Sequence, residues 1–185
     1  MACVSADYLA LAHRSKAGLA AVFASGDPPE VSALTGFEFR GFNHPRATAL
    51  LGIRKFIKVF YLDRAGQPFG CNTPVEQNGL QAEWLPRPSA DRPRRYAFFL
   101  VEPPDLDASD PLRRDAALLD YGRGGNSVYD PSRALRDYLV RVEPSSDELL
   151  LGKAYFLVAG ARLTHTYFLI ERYRPLTDAE ALAQR

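Results

Sequence analysis

The chain is short of cysteine, methionine, tryptophan, histidine and lysine, and nearly without net charge. Its two cysteines, Cys3 and Cys71, have no CxxC partner and no neighbouring histidine cluster. One lies near a terminus and the other in a turn-rich segment, which points to unpaired thiols in a reducing, cytoplasmic setting and away from a zinc site. A haem would need one well-placed histidine, for which only His44 and His165 qualify, and His44 beside Pro45 reads as a turn residue. No metal and no cofactor is therefore expected. The balance of 23 Lys+Arg against 22 Asp+Glu lacks the basic field that nucleic-acid binding rests on. No apolar run approaches the roughly 18–20 residues of a membrane span. The first 26 residues carry Asp7, Arg14 and Lys16 where a signal peptide needs an unbroken apolar stretch. Lysine is confined to Lys16, Lys55, Lys58 and Lys153, the other basic residues being arginines, as codon bias in a GC-rich genome produces.

What is present is enough for one core: 185 residues, 46% of them apolar, predict a single domain, as monomer or homodimer. Val4, Tyr8, Leu11, Leu19, Val22 and Phe23 recur at helical spacing, predicting a helix over 6–24 within an N-terminal segment 1–26. Alternation or β-branched and aromatic runs predict strands over 36–43, 56–62, 75–85, 95–102, 116–123, 134–142, 148–158 and 164–173. A short helix is expected over 46–52, loops over 66–74, 86–93 and 103–111, and an exposed tail over 176–185. Short connections between the last strands make them antiparallel. The runs Leu149-Leu150-Leu151 and Tyr167-Phe168-Leu169-Ile170 are apolar on both faces, as in a lined barrel covered outside by a helix. The fold class is all-β: an antiparallel barrel of about eight strands over 30–175.

Gly36-Phe37-Glu38-Phe39-Arg40-Gly41, then His44-Pro45 and Leu50-Leu51-Gly52, resembles the GXWXG domain, with Phe39 at the position of the tryptophan. Ser127-Val128-Tyr129-Asp130, Asp137-Tyr138, Leu150-Leu151-Gly152 and Tyr167-Phe168-Leu169-Ile170-Glu171-Arg172 resemble the domain of unknown function that accompanies it. The two stretches cover about half of the chain, and residues 74–111 match neither. The resemblance implies a small lipocalin-like barrel and carries over no catalytic residue.

Gly36 and Gly41 flank a strand rather than open a helix, so they are bending or close-approach positions and not a phosphate loop. Gly122, Gly124 and Gly125 with Arg123 and Asn126 read as a flexible turn, or as an anion nest. Arg54, Lys55 and Lys58 read as a solvated junction, or as a contact for an anionic head group at a barrel mouth.

The richest constellation lies on the last two strands. An odd-membered loop pairs odd residues with odd and gathers Lys153, Tyr155, His165, Tyr167 and Glu171 on one surface; a two-residue Gly160-Ala161 turn splits them. If that surface is the interior, Lys153 pairs with Glu171, and Lys153, His165 and Glu171 are candidate acid/base catalysts. Tyr155 and Tyr167, with Asp137 and Tyr138 on the preceding strand and Trp84 as a floor, are then candidate ligand contacts. If it is the exterior, they are surface residues beneath a helix. The expected function is to bind a small hydrophobic, apolar or aromatic, molecule in a barrel cavity. The alternative is a cofactor-independent isomerase, cyclase or dehydratase acting on a hydrophobic carbonyl compound there, and a third class is an interaction module with a filled core.

Overall fold

A computed structural model describes residues 4–44 and 52–176, with Thr164 and His165 described by their backbone alone. Two helices, α1 (Ala6–Ala12) and α2 (Lys16–Ser25), and a single turn, α3 (Val31–Leu34), precede the first strand. One helix was expected over 6–24. Ser15 divides it, because its extended backbone and its Oγ, which accepts from Gly18 N at 3.1 Å, start a new helix.

The strands are β1 (Phe37–Asn43), β2 (Lys55–Leu62), β3 (Pro68–Pro74), β4 (Tyr96–Glu102), β5 (Ala117–Asp120), β6 (Leu135–Arg141), β7 (Leu149–Val158) and β8 (Ala161–Pro175). A short helix, α4 (Pro111–Asp115), follows β4 and begins where the segment expected as loop ends. All neighbours are antiparallel, and β8 returns to pair with β1, so the sheet closes into an eight-stranded barrel without a free edge. The expected short helix lies almost wholly outside the described residues, as does the tail after Leu176.

Two expectations for the middle of the chain are corrected. Residues 68–74 form a strand although Gly70 and Asn72 are poor strand formers, because β2 and β4 pair with them on either side. Residues 75–85 form no strand beyond an isolated bridge of Val75 to Pro86. Their carbonyls serve the buried Lys55 ammonium, which donates to Gly79 O at 3.1 Å, Ala82 O at 2.9 Å and Glu83 O at 3.1 Å. This strap lays Trp84 on the outside of the barrel, 3.8 Å beneath Lys55 Nζ, with the indole N–H donating to Gly41 O.

Both faces of the sheet are buried over much of its area. Inside, Phe39, Phe60, Phe99, Val101, Leu119, Leu139, Leu150 and Ile170 fill one half of the barrel, with Leu34 of α3 packed against them. Outside, Tyr8, Leu11, Leu19 and Phe23 of α1 and α2 pack with Leu149, Leu151, Tyr167 and Leu169. The double-faced apolar runs of β7 and β8 follow from this arrangement. The interior aromatics fit because glycines lie opposite them: a Cβ on Gly152 would come within 2.0 Å of the Phe168 ring, and one on Gly41 within 2.2 Å of Phe56.

Candidate functional site

The other half of the barrel is hollow. A cavity of about 400 Å³ lies between the first residues of β2, β4 and β6 and the ends of β1, β3 and β7, bounded also by the Asp130–Ser132 turn. Ile53, Phe56, Leu135, Ala154, Phe156 and Phe168 supply most of its apolar lining. A polar layer of Lys58, Asn72, Tyr121 and Asp137 lines it and meets the packed half, where Lys58 Nζ is 4.9 Å from the Phe99 ring.

Alternation along β2 places Lys58 inward between Phe56 and Phe60, and it is only 2% exposed. Its ammonium donates to Asn72 Oδ1 at 3.1 Å, Tyr121 Oη at 2.6 Å and Asp137 Oδ2 at 3.0 Å. Tyr121, in the turn after β5, donates its own proton to Asp137 Oδ2 at 2.8 Å. Asn72 Nδ2 donates to Ala97 O at 3.2 Å and, more weakly, to Tyr121 Oη at 3.4 Å. Burial pushes the Lys58 ammonium below its ordinary value, against the opposing pull of Asp137. Burial, with Asp137 beside it, raises the Tyr121 phenol well above its usual range.

The hydrogen-bond accounting decides what this layer offers. Three donors on Lys58, one on Tyr121 and two on Asn72 are all engaged within the layer or by Ala97. Both bonds to Asp137 arrive at Oδ2, and no donor among the described residues reaches Oδ1. The paired charges cancel across the layer, and its unused capacity is that of an acceptor, a carboxylate oxygen. At the turn end of the cavity, the buried Ser132 hydroxyl has no partner among the described residues and can serve either way.

Of the residues singled out from sequence, Asp137 lines this cavity. Lys153, Tyr155, Tyr167 and Glu171 share one surface, and it is the outer one. The route is not the odd-membered loop: Val158 pairs with Ala161 around Ala159-Gly160, and a bulge after Tyr155 shifts the register. Tyr155 then meets His165, and Lys153 meets Tyr167. Lys153 Nζ lies 5.5, 5.4 and 5.8 Å from the rings of Phe23, Tyr155 and Tyr167, beneath α2.

The expected Lys153–Glu171 pair does not form. Glu171 instead takes a two-pronged contact from Arg40, at 2.7 Å from Nε and 2.5 Å from Nη2, and accepts from Ser5 N at 3.1 Å. It thereby ties the start of α1 to the barrel wall. Tyr138 also points outward, its Oη accepting from Arg162 Nη2 at 2.9 Å, and Trp84 floors no pocket but covers β1 from outside. His165 is placed by its backbone register alone.

Sequence reasoning passed over Lys58, Tyr121 and Asn72 as parts of one site. The Phe56-Lys58-Phe60 alternation carried the signal for Lys58, and the solvated-junction reading of Lys55 and Lys58 is corrected, since both are buried. Cys71 is a buried thiol pushed up to about 12 by its burial, which leaves it unreactive. Among the described residues no group of histidine, cysteine or carboxylate side chains is arranged to hold a metal. No helix among the described residues is long and apolar enough to cross a membrane. No family model matches the chain, and neither does any curated protein.

Proposed function

We propose that this barrel binds a small, largely apolar molecule inside its hollow half. The observation that carries the reading is a cavity of about 400 Å³ with a largely apolar wall and a buried, hydrogen-bonded polar layer on one side. That is the volume range and lining of a small-molecule site, and it suits a ligand of about 15 non-hydrogen atoms. The segment that resembles the GXWXG domain contributes β1, and its likeness to a lipocalin-like family supports the same reading. Binding is favoured over carbonyl chemistry because no donor of the polar layer remains to polarise a carbonyl oxygen.

The test is titration with the fluorescent apolar probe N-phenyl-1-naphthylamine. Wild-type protein binds it with a fluorescence increase, and Ala154→Phe, which places a ring in the cavity, weakens binding at least tenfold while the circular dichroism spectrum is kept. Equal binding by the variant would put the probe on the outer surface and overturn the reading.

A further inference from the structure

We infer that the ligand presents a neutral hydrogen-bond donor, an alcohol or phenol hydroxyl, to Asp137 Oδ1, and that this contact selects against carbonyl, ether and carboxylate analogues of the same shape. The inference rests on the cavity reading above and specifies its polar end. Its basis is the spent donor inventory: every N–H of Lys58 and Asn72 and the Tyr121 O–H already has an acceptor. An incoming acceptor at this layer would have to break one of these bonds, at the cost of an orphaned partner. A carboxylate would in addition meet Asp137 at close range. An ammonium gains nothing from a layer whose own charges already cancel, and it would leave water for an apolar enclosure. A hydroxyl loses one bond to water and regains one to a charged acceptor, with its hydrocarbon body against Phe56, Phe156 and Phe168. The two hydrogen bonds at Oδ2 hold the carboxylate plane, so Oδ1 is positioned before the ligand arrives.

A matched series of naphthalene, 2-naphthol, 2-methoxynaphthalene and 2-naphthoate tests this by calorimetric titration of the whole chain. 2-Naphthol is expected to bind at least tenfold tighter than 2-methoxynaphthalene, and 2-naphthoate more weakly than naphthalene. In the double variant Lys58→Met/Asp137→Leu, which removes both charges together, the hydroxyl preference disappears while naphthalene still binds. Asp137→Asn, the milder change, reduces the preference without removing an acceptor. Equal affinity for 2-naphthol and its methyl ether, or a preference that survives the double variant, overturns the inference and leaves the cavity reading standing. Absence of binding by all four compounds overturns both.

Discussion

Tyr8 and Tyr121 illustrate two fates of a buried phenol. Tyr121 is satisfied on both sides, accepting a hydrogen bond from Lys58 and donating one to Asp137. Tyr8 is fully buried between α1 and the barrel, edge-on to Trp84 at 6.3 Å, and its hydroxyl has no partner among the described residues. Burial, and then the nearby Glu171, raise its pKa well above 10.0, with Arg40 opposing. A phenol with a raised folded value keeps its proton after the unfolded chain has lost it, so stability falls as pH climbs past 10. Lys58 contributes the opposite sign, its folded value lying below 10.5, so folding regains stability between those limits. Tyr8→Phe is therefore expected to be as stable as wild type or about 1 kcal/mol more stable at pH 7. Its advantage should widen at pH 10.5, read by urea unfolding at the two pH values; a stability loss would show that the hydroxyl has a partner. Lys58 was legible as an inward residue from the phenylalanines two positions either side. Its partners were not, because Asn72 and Asp137 lie 14 and 79 positions away and no local pattern joins them.

At the scale of the element, the pairings that matter are those of glycine with an aromatic ring across the strand. Gly152 faces Phe168, and the ring occupies the space a side chain would take. Gly152→Ala is expected to cost about 1–3 kcal/mol, since Phe168 must leave its rotamer and shift into the cavity. Urea unfolding measures the loss, and an unchanged midpoint would mean that the ring moves freely. Seven of the eight strands are readable from alternation or from β-branched and aromatic runs. The third is not: its composition is that of a turn, and only the ladders to β2 and β4 make it a strand. The strap over 75–85 shows the converse, with strand-like residues whose carbonyls are turned to an ammonium.

At the scale of the whole molecule, closure joins β1 to β8, and the Arg40–Glu171 contact spans 131 positions of sequence. Ordering that much chain before the closing contacts form is slow, so refolding is expected in milliseconds to seconds rather than microseconds. Stopped-flow refolding by Trp84 fluorescence measures it directly, because this single tryptophan is carried by the strap and bonds to β1 only when the strap is in place. A microsecond phase carrying the full amplitude would show that closure is not limiting.

The amino-acid sequence by itself determined the class of fold: strand-length apolar segments with short connections leave an antiparallel barrel as the way to pair every edge, and the N-terminal helical pattern supplies its cover. It left to the hairpin register whether Lys153, Tyr155, Tyr167 and Glu171 share one surface, which the bulge after Tyr155 brings about. Only the tertiary structure decided which surface that is. In β7 and β8 both faces are apolar, because helices bury the outside as thoroughly as the barrel buries the inside. Alternation then distinguishes two faces without saying which is inward. The inward face turned out to carry Lys58, Asn72, Tyr121 and Asp137, drawn from β2, β3, the turn after β5 and β6. Such a layer exists only where a closed sheet brings distant strands to one depth, and there the cavity and the unused Asp137 Oδ1 are found together.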